Sequence, residues 1–257
     1  MSSRILSRRQ MLLRSSSVLG TLLLAGCDRL ANAPSFQRIL ASAEGLTYRS
    51  QRLLLGSGAL AREFRESDVS PVFRSNGTSH PDTELYRRLL ENDFAEYRLA
   101  VGGLVAKPLT LSLPALRALP SQTQITRHDC VEGWSAIGKW TGVPLSSVLK
   151  LAQVMPLARY VVFHCADSLG YSEADTYYES IDLLDAYHPQ TILAYDLNGK
   201  PLPVRNGAPL RLRVERQLGY KQAKYIVGIQ VVASLSAIRG GKGGFWEDQG
   251  YEWYAGI

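Results

Sequence analysis

Hydrophobic and polar positions change period along this chain. Over residues 34–64, Phe36, Ile39, Leu40 and Ala43 recur at three- and four-residue spacing, and Leu46, Leu53, Leu54 and Leu60 continue it more loosely. That spacing predicts helix, and Gly45 and Gly56-Ser57-Gly58 are expected to divide it into short helices. After Ser70-Pro71 the pattern shifts to short apolar runs. Residues 97–105 (broken at Gly102-Gly103), 109–111, 122–127, 160–165, 191–195, 210–214 and 225–232 read as strands. Pro114 opens a short helix between them. A longer one over 144–152 carries the inner stripe Leu145, Val148, Leu149 and Ala152. Residues 180–186 also read as helix, with Ile181, Leu183 and Leu184 available for burial. Asn198-Gly199 and Asn206-Gly207 mark tight turns. The aromatic-dense stretch from Phe245 to Tyr254 would be costly to leave in water and is expected to dock. Strand-rich regions with inserted helices predict an α+β fold.

Composition adds little until the N-terminus is separated out. The chain has 257 residues, 46% of them hydrophobic, and a formal net charge of +6. Arg4, Arg8, Arg9 and Arg14 lie in the first 26 residues, which hold no acid, so the remainder carries 25 basic against 23 acidic side chains. A net charge of about +2 gives no concentrated basic face, which argues against nucleic-acid binding. Residues 1–26 read as an export signal. Ser7-Arg8-Arg9-Gln10-Met11-Leu12 resembles the twin-arginine motif, and the apolar run 17–25 is shorter than the roughly 20 residues of a spanning helix. Leu24-Ala25-Gly26-Cys27 resembles a bacterial lipobox with Cys27 as the lipidated residue. Asp28 resembles the signal that keeps such lipoproteins on the inner membrane. The expected location is the periplasmic side of that membrane, or else soluble in the periplasm. Twin-arginine export carries folded proteins, which suits a cofactor inserted beforehand.

The sequence separates into three parts: the signal at 1–26, an arginine-rich helical arm at 27–66, and one main domain at 67–257. Within the last, chemistry concentrates at two cysteines. Cys130 ends a strand-like run and opens Cys130-Val131-Glu132-Gly133-Trp134-Ser135; Cys165 ends the run Tyr160-Val161-Val162-Phe163-His164-Cys165. A buried structural thiol at Cys130 and a Cys130–Cys165 disulfide, which export permits, are the plain readings. His128, Cys130, His164 and Cys165 also offer zinc-type ligands, although adjacent strand residues such as His164 and Cys165 point to opposite faces.

The flanking residues add a more specific reading. The Cys130 segment with Trp140-Thr141-Gly142-Val143-Pro144-Leu145 resembles the molybdenum-ligating segment of the sulfite-oxidase-fold molybdopterin oxidoreductases. Val72-Phe73-Arg74-Ser75-Asn76-Gly77 resembles their pterin-contacting segment. His188-Pro189 through Asn206-Gly207-Ala208-Pro209-Leu210-Arg211-Leu212 to Lys224 resembles the phosphate-binding stretch of the bacterial periplasmic branch that includes the methionine-sulfoxide reductase catalytic subunit. The resemblance implies a molybdenum-molybdopterin cofactor, with Cys130 as catalytic metal ligand and Asn76, Cys165, Asn206, Arg211 and Lys224 as cofactor contacts. Arg213, two residues from Arg211 along the same strand, is expected to share its face without touching the cofactor. Cys165 stands where the reductase has a threonine. The implied function is oxygen-atom transfer to or from a small sulfur or nitrogen compound, with electrons exchanged with a membrane haem or quinone-linked partner. Two other readings compete: a membrane-anchored lipoprotein that keeps the fold as a non-enzymatic binding or assembly module, and a zinc hydrolase.

Overall fold

A computed structural model describes residues 33–56, 58–170 and 175–257; the export signal and Cys27 lie outside them. The chain divides into two compact units at Leu54/Leu55. The first contains α1 (Pro34–Leu55), one continuous helix. Gly45 does not break it, because a single helical glycine costs only about 1 kcal/mol against the flanking helix formers. Ile39, Leu46, Leu53 and Leu54 are exposed on it. No helix among the described residues is long and apolar enough to cross a membrane.

The second unit starts as extended chain rather than helix. Phe64 N donates to Ile125 O at 2.9 Å, and Glu63 bridges Thr126, so this stretch lies along a sheet edge. The elements after it, in chain order, are α2 (Glu84–Glu91), β1 (Arg98–Gly103), β2 (Leu109–Ser112), α3 (Leu113–Arg117), β3 (Gln122–Cys130), β4 (Trp134–Pro144), α4 (Leu145–Ala152), β5 (Tyr160–Ser168) and β6 (Thr176–Asp182). Then come α5 (Leu183–Ala186), β7 (Ile192–Leu197), β8 (Lys200–Pro201), β9 (Arg211–Arg213), β10 (Ile226–Val232) and α6 (Phe245–Asp248).

The strands form two five-stranded sheets. One runs β2-β1-β10-β5-β6; the other runs β3-β4-β7-β8, with β9 also paired to β7. Among the described residues only β1 and β10 pair in parallel. A core of Leu99, Leu116, Val148, Leu149, Phe163, Leu193, Leu212 and Ile229, all at most 2% exposed, fills the interior. At 25 cal/mol per Å2 of apolar surface, each such side chain contributes about 1.5–3 kcal/mol by leaving water.

The helix expected over 180–186 starts only at Leu183: Ser180, Ile181 and Asp182 end strand β6. Ile181 pairs with Val161 in β6 and is fully buried, while Leu184 in the four-residue α5 is half exposed. Pairing of the aromatic and β-branched run Tyr177-Tyr178…Ile181 with β5 outweighs the weak helical period. The Asp182 side chain, accepting from Asp185 N, marks the change. The α+β expectation otherwise stands, and the C-terminal aromatics are docked except for the partly exposed rim of Tyr251.

Two glycines shape the β3–β4 hairpin. Gly142 sits at a bulge where β4 crosses β7, and a Cβ there would lie 2.2 Å from Leu193 O. Gly133, at φ +83°, closes the three-residue turn between β3 and β4, and its N–H donates to Cys130 O at 3.0 Å. A left-handed residue at that place is what a tight hairpin of this length needs. It holds Cys130 at the hairpin tip.

Candidate active site

Cys130 is 7% exposed and lines a cavity of about 180 Å3. Burial raises its thiol above the ordinary value, with a hydrogen bond from the Glu132 backbone partly offsetting and the Glu132 carboxylate adding to the rise, so without a cation it stays protonated. Asn76, Thr78, Asp167, Gln222 and Lys224 share the cavity wall. Lys224 comes from the segment before β10. Its ammonium donates to Asn76 O at 2.6 Å, to Arg205 O at 3.2 Å and to Thr78 O. Three carbonyls take its three hydrogens, so Lys224 shapes the 75–78 loop and contributes charge, not a free donor. Burial, then the charge of Arg211, lowers it from 10.5 to about 7.

Arg211 and Asn206 lie beside this wall and are not part of its lining. A Cβ on Gly207 would touch Lys224 Cβ at 2.9 Å and Arg211 Cβ at 3.2 Å, which brings the two cations to one glycine. Arg211 is fully buried and donates through Nη1 to Asn206 O at 2.9 Å, but its Nε and Nη2 have no partner, nor has Asn206 Nδ2. Burial, then Arg213, pulls the guanidinium down to about 9. Arg213 is equally buried but neutralised: Glu215 receives its Nε at 2.9 Å and its Nη2 at 2.5 Å. The indole of Trp140 lies between them, 4.9 Å from Arg211 Cζ and 4.4 Å from Arg213 Cζ. The two arginines do share a face. Arg213 is nonetheless a core ion pair and not an inert surface neighbour.

His128, two residues before Cys130, accepts from Arg213 Nη1 at Nδ1 (3.0 Å), which leaves the proton on Nε2. Nε2 has no partner. Burial, then the charges of Arg213 and Arg211, holds the ring well below its usual range, so it is neutral; Gln222 offsets this in part. Buried donors without acceptors are rare in native chains and take a partner from outside. Arg211 Nε and Nη2 and Asn206 Nδ2 form such a set, beside the wall that carries the thiol. A group with an anionic end and an end for a soft metal fits it.

The remaining expectations divide. Asn76 lies on the cavity with its Oδ1 unpartnered. Cys165 is 4% exposed and packs in the main apolar core; Asp167, two residues on along β5, takes the cavity position instead. Both thiols are free, so no disulfide joins them. Among the described residues no three His, Cys, Asp or Glu side chains gather as a metal site of their own. Asp167 escaped the sequence reading. Its signal was an acid closing an otherwise apolar strand, and burial raises it to about 6, with Thr78 and Lys224 partly offsetting. Tyr177, Tyr220, Trp246 and Tyr251 also line the wall; the last two belong to the aromatic stretch expected to dock, but none of the four was read as a site residue.

Residues 87–237 match the family model described as the oxidoreductase molybdopterin binding domain. The chain is 40% identical over 250 residues, 97% of its length and 88% of the relative's, to a putative protein-methionine-sulfoxide reductase subunit YedZ1 of Azospira oryzae. It is 34% identical over 238 residues, 88% of its length and 70% of the relative's, to the protein-methionine-sulfoxide reductase catalytic subunit MsrP of Xanthomonas campestris pv. campestris. Among solved structures, the sulfane dehydrogenase SoxCD from Paracoccus pantotrophus is similar in fold, with a TM-score of 0.51 and 24% identity, over 56% of this chain and 40% of that one.

One consequence of the geometry is a pH signature in the cofactor-free protein. Lys224 titrates near 7 when folded and near 10.5 when unfolded, so between these values the unfolded chain binds more protons and stability rises with pH. The denaturation midpoint of the wild type relative to Lys224→Met should rise between about pH 7 and pH 9.5. A difference that stays constant over that window contradicts the assignment.

Proposed function

This chain belongs to the oxidoreductase molybdopterin-binding family and is an oxidoreductase that uses molybdenum-molybdopterin, and from that premise we propose that it transfers an oxygen atom to or from a small sulfur- or nitrogen-containing substrate. The reading favours a sulfoxide, because both relatives carry protein-methionine-sulfoxide reductase in their names. Membership of an enzyme family sets aside the non-enzymatic binding module and the zinc hydrolase.

The observation that carries the assignment is the thiol of Cys130 on a cavity beside buried, unpaired donors. In this reading Cys130 gives up its proton and holds the metal as a thiolate, a soft ligand for a soft centre. Arg211 and Asn206 hold the phosphate of the pterin, Lys224 adds charge and fixes the 75–78 loop, and Asn76 faces the same space. Cys165 backs the wall from the core. When bound, the cofactor supplies a metal able to exchange an oxygen atom and two electrons with substrate. Asp167, near 6, is the acid on the wall able to take up or release a proton close to neutrality, beside Lys224 near 7.

We propose further that residues 1–26 direct folded export, that Cys27 is lipidated, and that electrons pass to or from a membrane haem or quinone-linked partner. The leader motifs and the membership in a cofactor-dependent family support this.

Two experiments test the proposal. Cys130→Ser should abolish oxidoreductase turnover while the fold, followed by circular dichroism and melting, is retained; wild-type turnover in that variant removes Cys130 from the metal. Cys27→Ala should move the protein from the membrane fraction to the soluble periplasm, and replacing Arg8 and Arg9 with lysine should leave it in the cytoplasm. If the Cys27 variant stays with membranes as before, lipidation is not the anchor.

A further inference from the structure

Part of the cavity wall comes from outside the region that defines the family. Trp246 and Tyr251 line the cavity, yet the family match ends at residue 237. Trp246 is the second residue of α6, and Tyr251 N donates back to Trp246 O at 3.0 Å, which brings the two rings to 5.4 Å at 30°. Tyr251 meets Tyr220 edge-on at 5.3 Å. Trp246 meets Phe245 edge-on at 5.4 Å, and Phe245 lies 5.8 Å from Tyr177. Four cavity-lining rings are thus joined into one aromatic wall.

That wall is fixed in place, not a loose flap. Between Trp246 and Asp248, Glu247 is fully buried and ion-paired to Lys221, which is also paired to Glu179 of β6; all three side chains have no exposure. A Cβ on Gly244 would lie 1.9 Å from Glu247 Oε2, so the backbone approaches the ion pair where only glycine fits. Trp253 Nε1 donates to Ser180 Oγ at 2.9 Å, and Tyr178 OH to Asp248. Removing one partner of a buried ion pair is strongly destabilising, so this tie holds the segment on β6.

The charge of the remaining wall narrows the occupant. Its acids are Asp167 and Glu132, and among the described lining residues its one cation, Lys224, already serves three carbonyls. An anionic sulfur oxyanion finds no free cation at this wall. The alkyl groups of a neutral organosulfur compound find aromatic faces and edges, and the sulfide left when a sulfoxide gives up its oxygen has the divalent sulfur that packs favourably with them.

We propose that Trp246 and Tyr251 are specificity-determining residues that receive the uncharged alkyl–sulfur group of the substrate, an inference that rests on the oxygen-transfer reading above. The C-terminal segment, outside the family-defining region, then sets which organosulfur compound this chain accepts.

The test uses the full-length holoenzyme and its Tyr251→Ala, Trp246→Ala and Trp246→Phe variants. Each is titrated calorimetrically with the sulfone of N-acetylmethioninamide, a neutral dead-end analogue, and assayed with the matching sulfoxide; molybdenum per chain is measured throughout. The alanine variants should bind the sulfone about five- to tenfold more weakly and raise KM in proportion, with kcat changing less and molybdenum content unaltered. Trp246→Phe should recover most of the affinity. If Trp246→Ala does not fold, Tyr251→Ala carries the test, since that side chain is 41% exposed. Unchanged sulfone affinity, no sulfone binding by the wild type, or a fall in molybdenum content in place of a fall in affinity would each overturn the proposal. The last result would assign the wall to the cofactor. Should the wild type bind the sulfone with the expected variant pattern yet turn over no sulfoxide, the oxygen-transfer reading fails while the wall assignment stands.

Discussion

A fully buried guanidinium with two unpartnered donor nitrogens is the constraint on which the site depends. Arg211 cannot reach water, and its neighbour Arg213 takes both oxygens of Glu215. An unsatisfied buried donor costs about 1–3 kcal/mol, more when charged. The chain accepts that cost and arranges other groups around it. Trp140 offers its ring to both cations, Asn206 gives Arg211 one carbonyl and leaves its own amide unpaired, and Gly207 lets Lys224 approach. The cofactor-free protein therefore holds a buried positive cluster with open donor positions, which is what the proposed phosphate site would need.

The second half of the site is set by a hairpin. Gly133 lets β3 turn into β4 within three residues, so Cys130 is presented at a tip while His128 remains inside against Arg213. The same strand thus carries a protonated thiol at the cavity and a neutral imidazole behind it. Burial keeps the thiol neutral, and in the proposed role a metal would take the place of its proton. Cation cradle, thiol and aromatic wall come from three distant stretches of sequence. The two sheets bring them together, with β9 placing Arg211 and the C-terminal segment placing Trp246.

Much of this was legible in the sequence because it is local. The Cys130-Val131-Glu132-Gly133-Trp134 turn and the Asn206-Gly207 turn are short-range structures whose residue types dictate their backbone. Most strands showed as apolar runs for the same reason. β4 was harder to read, since Gly138 and Gly142 interrupt its alternation and only the close approach to β7 explains Gly142. The last three residues of β6 were misread as the start of a helix because their partner β5, not their own period, decides their state. Asp167 and the aromatic wall depend on tertiary packing, which places Asp167 at the cavity while Cys165, two residues earlier on the same strand, turns into the core. Arg213 shows the same limit: pattern puts it on the face of Arg211, but only the fold reveals Glu215 beside it.

The claim that Arg211 awaits the cofactor's phosphate is tested most directly by molybdenum bound per chain, measured together with the melting temperature of the cofactor-free protein. Charge-assisted hydrogen bonds are worth about 1.5–3 kcal/mol, so Arg211→Ala should cut cofactor affinity roughly ten- to a hundredfold. Arg211→Lys should recover only part of it, because the planar fork is lost. The cofactor-free Arg211→Ala protein should melt no lower than the wild type, since the substitution removes an uncompensated buried charge. Full molybdenum loading in Arg211→Ala, with a clear fall in the cofactor-free melting temperature, would make Arg211 a structural residue and contradict the account.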